Sequence, residues 1–386
     1  MLSKENVKLE AFNVNTLSEV IHERRSDILG KLLYDVVLSY QERLLVEDLG
    51  DRYSRQRKEA SFSCPVCSGR VFTRKGKRNR IFKSVLGRTI LSIVQVQCKR
   101  CGLRFCPYKD IIGLVYRGRI SEGLKRRQMS LTCHVPYRKA KDFIELCLGV
   151  SVSPKVIREK IDKESDLIRL KALTVSDDVV YQDSTKVKAG SKERGVSIHL
   201  AITARPDGGV SGRNRMQKRL MFLKSGNSHS IRESLKALNP KAIVHDGDMD
   251  LSGCASKLQR CLWHLPHQLG YFLWLDGLSF EDRKPYVKEL IDILYQSRTV
   301  RIMKDRYRNL IDKLRRENLT SALTHLERAE GEISTSKENY FDYHTVSPVE
   351  REIREINRRA DVGARWSVPG VENLLLVKTY ERLNGP

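Results

Sequence analysis

The sequence predicts an α/β protein: a sheet domain with acids at its strand ends, preceded by a four-cysteine ribbon and a region of short helices. Three observations carry that expectation. The stretch "VVYQDSTKVKA", residues 179 to 189, reads as an apolar strand that ends on Asp183 and continues in a basic, alternating run. "KAIVHDGDMDL" repeats the device, a short buried strand through Ile243 and Val244 followed by Asp246 and Asp248. Upstream, Cys64 and Cys67 form one C-x-x-C pair, and Cys98 and Cys101 a second.

Composition bounds what such a chain is for. Its 386 residues suggest two or three domains, and 40% hydrophobic residues argue against wholesale disorder. No run of about 18 apolar residues is present to span a bilayer. The opening "MLSKENVKLEAFNV" lacks the apolar centre of a signal peptide, so a cytoplasmic, nucleoid-associated location without membrane attachment is expected. The formal net charge is +24, and residues 61 to 130 hold seventeen Lys and Arg against only Asp110 and Glu122. More than half of the excess therefore sits in under a fifth of the chain. Such a block fits a polyanion, most simply a nucleic-acid backbone.

Residues 1 to 60 carry apolar residues at three- and four-residue steps and read as helical, a packing or oligomerisation pair with no assigned chemistry. Residues 61 to 112 form the ribbon. Four thiolates from two knuckles suit tetrahedral Zn²⁺, and nothing points to the oxidising compartment that paired disulfides need. Cys106 is left over. Between the knuckles, "RKGKRNR" sets Arg74, Lys75, Lys77 and Arg78 on a platform too small to fold without metal, as candidate DNA contacts.

Residues 119 to 172 read as three short helices, "RISEGLKRRQMSL", "PYRKAKDFIELCLG" closing on Gly149, and "SVSPKVIREKIDKES" opening at Ser153 and Pro154. This is the pattern of a helix-turn-helix whose last helix carries Lys155, Arg158 and Lys160 to a major groove. From 177 to 386 the chain alternates: strands at 179–188, 195–206 and 215–225, a helix near 229–238, and the "AIVHD" strand. Three strands, a helix and another strand describe a ribonuclease H-like core. After Asp246 the expectation is a short helix, a strand through Leu262 and Trp263, and a helix. A charged helical insertion over about 266–340 then separates the second acid from a helix opened by Ser347, Pro348 and Glu350.

Four motifs together resemble the prokaryotic DDE transposases of the Mutator-like insertion-sequence group that carry a zinc ribbon. They are "YQDSTKVKA" around a first Asp, "VHDGDMDL" around a second, "QRCLWHL" with Cys261 and His264 three apart, and "VEREIREINRR" around a Glu. The likeness runs from about residue 60 to the end. "DST" stands where "DGT" or "DAL" is commoner, which leaves the first acid's neighbours open.

The resemblance implies a catalytic triad of Asp183, Asp246 and Glu350, separated by 63 and 104 residues, binding Mg²⁺ or Mn²⁺. Two such ions would activate the attacking oxygen and stabilise the leaving one, first in cleavage at terminal inverted repeats and then in strand transfer. The implied partners are double-stranded DNA, both transposon ends and target, and a second copy of the chain. "KVKAGSKERG" and "GRNRMQKR" are candidate phosphate-binding strips. Residue by residue, alternatives stay open. Asp183 could be a solvated strand-end acid, Asp246 could belong to a turn with Asp248 as the rival ligand, and Glu350 could cap a helix through Ser347, with Glu352 and Glu355 as rivals. Cys261 and His264 read equally as core or as a brace for the insertion, and Trp366 as core before base-stacking. A regulator that binds DNA without cutting it, and a structure-specific nuclease on the same fold, are the competing functions.

Overall fold

The structure, a computed structural model, describes residues 14–51, 58–109, 119–171, 179–190, 195–206, 216–340, 348–361 and 366–384, with side chains from residue 27. The chain divides into two compact units, Met1–Lys160 and Ile161–Pro386.

In the first unit, residues 14 to 49 form one helix, α1 (Val14–Leu49), in place of the expected pair. Nothing between them breaks a helix: there is no proline, and Gly30 is retained for packing. A Cβ on Gly30 would lie 2.8 Å from Thr89 Oγ1, so the glycine lets α1 lie close on the sheet. That sheet is an antiparallel set β1 (Phe72–Ser84), β2 (Gly87–Cys98) and β3 (Arg104–Phe105), in the order β1-β2-β3. The buried side chain of Gln41 replaces a missing backbone partner on β2, donating to Ser92 O at 3.1 Å and accepting from Val94 N at 3.0 Å. Phe62 stacks on Phe72, and Phe105 and Tyr108 meet its ring edge-on. Two helices follow, α2 (Glu122–Thr132), capped by Ser121, and α3 (Tyr137–Leu148); a third, α4 (Pro154–Leu170), begins in this unit, and its residues from Ile161 on belong to the second. Gly149 ends α3 at φ +64°, and the buried Gln128 amide pins the turn by a two-way bond with Val152, 2.7 and 2.8 Å.

The second unit is built on a mixed five-stranded sheet. Its strands are β4 (Val179–Val187), β5 (Val196–Pro206), β6 (Met216–Ser225), β7 (Ala242–His245) and β8 (Lys257–Arg260), ordered β6-β5-β4-β7-β8. The β4–β5 and β5–β6 pairs are antiparallel; β4–β7 and β7–β8 are parallel. Helix α5 (Ser228–Leu238) supplies the crossover between β6 and β7, covering one face with Ile231, Leu235 and Leu238. The helical layer α6 (His264–Leu275), α7 (Phe280–Gln296), α8 (Val300–Arg316) and α9 (Thr320–Ala329) has its own core, centred on Leu269, Leu290, Tyr307 and Leu310. A 3-10 turn, Glu330–Glu332, and a π turn, Ser336–Tyr340, lead out of it. Helices α10 (Glu350–Ala360) and α11 (Val368–Asn384) cover the other face of the sheet with Ile353, Ile356, Val371 and Leu375.

Two local expectations are corrected. The strand after Asp246 is Lys257–Arg260, not a strand through Leu262 and Trp263, and residues 250 to 256 are turns rather than a helix. Cys261 N donates to His245 O at 2.7 Å, the last rung of the ladder, and the chain then enters α6. The proposed Ser347 cap and parts of both basic strips, 191–194 and 212–215, lie outside the described residues. No helix among the described residues is long and apolar enough to cross a membrane.

Candidate metal centres

The acid cluster follows from strand parity. Side chains alternate across a sheet, so Val179, Tyr181 and Asp183 share the face that α10 covers, as do Ala242, Val244 and Asp246 on β7. The parallel register matches Tyr181 with Val244; carried two residues on, it sets Asp183 beside Asp246. The charge of Asp246 acts on Asp183, and Asp246 Oδ1 accepts from Asp248 N at 3.0 Å. Both are nearly sealed from solvent, at 3% and 4% exposure.

Helix α10 brings the third acid. Asn357 Oδ1 accepts from Thr185 Oγ1 at 2.8 Å, which fixes one stripe of the helix along β4. Glu350 lies two turns earlier on that stripe. Its rivals are engaged elsewhere: buried Glu352 pairs with Lys218 and Arg382, each at 3.0 Å, and Glu355 pairs with Arg358 and Arg382.

The expected Cys261–His264 pair is split. Cys261 sinks into the core, and burial pushes its thiol up to about 11. His264, the first residue of α6, turns toward the acids, its Nε2 3.8 Å from Glu350 Oε2 and its buried Nδ1 without a partner among the described residues. Asp183, His264 and Glu350 each present a ligand atom, all within 4.8 Å of one another. The sequence singled out His264 only through the resemblance; what places it is the β7–β8 register, which matches His245 with Arg260 and so sets Asp246 beside Cys261 at the sheet's edge.

Crowding has an electrostatic consequence. Burial first, then the charges of Asp246 and Glu350, push the Asp183 carboxyl up to about 8. Burial and Asp246 also raise Asp248. Burial lowers His264, opposed by the charges of Asp246, Glu350 and Asp248. The imidazole is therefore neutral near pH 7 and free to donate a lone pair. Two carboxylates and an imidazole converging, with no Lys or Arg ion pair to either carboxylate among the described residues, are a donor set for a divalent cation.

In the first unit, Cys64, Cys67, Cys98 and Cys101 also converge within 4.8 Å. Sγ–Sγ distances are 3.5 Å for Cys64–Cys101 and for Cys67–Cys98. Tetrahedral thiolates about 2.3 Å from zinc lie about 3.8 Å apart, so the group could hold a zinc ion with little adjustment. The knuckles are built alike. Ser68 N donates to Cys64 O and Gly102 N to Cys98 O, with Ser68 at φ +56° and Gly102 at φ +76°.

The basic candidates are on the surface but not equally available. Lys75, Lys77 and Arg78 on β1 are exposed around a bulge at Gly76, with Lys77 2.7 Å from Glu42, while Arg74 is half-buried and donates to Gly50 O. On α4, Lys155 and Arg158 are exposed, whereas Lys160 pairs with Glu122 at 3.2 Å. Trp366 packs against the core, donating to Ala360 O with the Arg359 guanidinium over its ring. The chain matches no protein-family model, and no curated protein matches it significantly.

Proposed function

We propose that the chain is a DDE-type DNA transposase, with a ribonuclease H-like core that cuts and joins DNA at Asp183, Asp246 and Glu350. The observation that carries the reading is convergence. Asp183, Asp246 and Glu350 are 63 and 104 residues apart in sequence, yet the charges of the last two act on Asp183, and the four motifs single out the same three acids. Mg²⁺ or Mn²⁺ would be held by Asp183, Glu350 and His264, with Asp246 beside Asp183. When bound, divalent ions would activate the attacking oxygen and stabilise the leaving one. The chain's own part is to hold the donors. Buried Tyr181 and Val244 hold the strand segments that carry Asp183 and Asp246, Thr185 holds α10 in register, and neutral His264 leaves the site's charge to the acids. The cysteine group would be a structural zinc ribbon, and α2 to α4 a helix-turn-helix, with Lys75, Lys77, Arg78, Lys155 and Arg158 meeting phosphates.

The test uses labelled duplexes spanning the DNA on either side of the coding sequence, incubated with Mg²⁺ or Mn²⁺ and plasmid. Cleaved and joined products should form with the wild-type chain and fall at least about 100-fold in Asp246→Asn, with DNA binding retained. Binding without cleavage under any metal, by both proteins, would favour a DNA-binding regulator.

A further inference from the structure

Strand β6 forms one edge of the second unit's sheet, and a cavity of about 250 Å³ lies along it, between the strand, the end of α4 and α11. We propose that this cavity captures the C-terminus of a partner polypeptide: an apolar last residue, its carboxylate held by Leu223 N–H and the Lys171 ammonium. The inference stands apart from the transposase reading, because β5 separates β6 from the strands that carry Asp183 and Asp246.

The strand's unpaired side is the starting point. An edge strand turns every second N–H and C=O away from its neighbour, and a folded chain blocks such groups or uses them. On β6 two are blocked from α11: Leu220 N donates to Asn384 Oδ1 at 3.1 Å, and Ser225 N to Glu372 Oε2 at 2.9 Å. Alternation from Ser225 turns Leu223 the same way, and its N–H has no partner on that side among the described residues. Leu220, Leu223 and Ser225 all line the cavity, so the open rung faces it. With the rungs on either side plugged, a strand cannot run along this edge. A chain end can enter, pairing at Leu223 alone. The 250 Å³ lies below the about 300 to 1,000 Å³ of drug-sized sites, which suits one side chain rather than several.

The lining matches such an end in polarity and charge. Ile168 and Leu376 give an apolar wall for the side chain. Glu372, the one carboxylate of the lining, is already occupied: Arg169 Nη2 donates to its Oε1 at 2.8 Å, and Ser225 to its Oε2. Lys171 is not. It is exposed, its Nζ donates to Tyr380 Oη at 2.6 Å, and it has no acidic partner among the described residues. An ammonium carries three donors, so two remain for a carboxylate.

The test is fluorescence anisotropy of the full-length chain with labelled pentapeptides Gly-Ser-Gly-Ser-X, where X is Leu, Val, Phe or Lys. The Leu, Val or Phe peptide with a free carboxylate should bind at least about tenfold more tightly than its C-terminal amide and than the Lys peptide. Lys171→Glu, at an exposed position, should abolish that preference. Ile168→Trp, which fills the cavity, should weaken binding about tenfold, whereas Lys236→Glu, outside the cavity, should change nothing. Amide exchange over residues 220 to 225 should slow when the free acid binds. Equal binding of acid and amide, a preference indifferent to Lys171→Glu, or no binding by any peptide up to about 1 mM overturns the proposal. So does N-acetyl-leucine binding as tightly as the Leu pentapeptide, which would make the ligand a free small acid. Neither cavity variant touches the acid cluster, so DNA cleavage should survive both, and a failure of the transposase reading would leave these binding results standing.

Discussion

Asp183 pays for its position in a way that can be measured. Its carboxyl ionises near pH 8 in the folded chain against 3.8 ordinarily, so between those values the folded state holds the proton and the unfolded state does not. Stability from this group is therefore full below about pH 4 and is lost as pH rises toward 8. His264 and His325 are both lowered and act in the opposite sense, but only below their ordinary 6.5. Between pH 6.5 and 8, in chelator, the melting temperature should fall with rising pH in the wild type and fall less in Asp183→Asn. A divalent cation should reverse the slope by favouring the carboxylate. Two glutamates on one helix give a second contrast. Glu352→Ala leaves the mostly buried Lys218 ammonium with Pro348 O but without its carboxylate, and should cost about 3 kcal/mol in denaturant unfolding. Glu350→Gln relieves repulsion among the acids, so it should leave stability unchanged or raised while abolishing cleavage.

Among the elements, strands β4, β5, β6 and β7 were legible because alternation and β-branched residues mark them within a residue or two. β8 was not. In "KLQRCLWHL" the apolar residues favour Leu262 and Trp263, yet the rungs fall on Lys257–Arg260, because the parallel partner β7 is only four residues long and sets where pairing stops. Residues 1 to 60 were read as helical but as a pair: α1 also exposes Ile28, Leu32 and Val36, so no one apolar face runs the length of the single helix. A cap that no local pattern reveals holds the helical layer. Asp276, at the end of α6, accepts from Ser321 N and Ala322 N at the start of α9, both at 2.9 Å. Asp276→Ala should destabilise the second unit by about 1–2 kcal/mol, read by urea unfolding, with a smaller loss for Asn.

For the molecule as a whole, the cysteine group and the acid cluster lie in separate units, and chelation should separate them. The first unit has a small core around Phe62, Phe72 and Val96, so removing the zinc proposed for its cysteine group should unfold that sheet. The second, with a sheet covered on both faces, should keep its own transition in calorimetry; one shared transition that moves as a whole would mean the units are not independent. The four-cysteine group was readable from spacing alone. From the residues alone the acid cluster was readable as three separate acids, because gaps of 63 and 104 residues say nothing of distance; only the family resemblance grouped them. His264 was placed by the fold, which turns the start of α6 toward Glu350 while Cys261 fills the core.

The most direct measurement is Mn²⁺ binding by electron paramagnetic resonance, with zinc saturating the cysteine group and no DNA added. The account predicts a site that weakens at least about tenfold in Asp183→Asn and in Glu350→Gln, and that weakens in His264→Ala, while Glu355→Gln leaves it intact. Wild-type affinity in Asp183→Asn and Glu350→Gln would contradict it, since the convergence of those acids would then hold no metal.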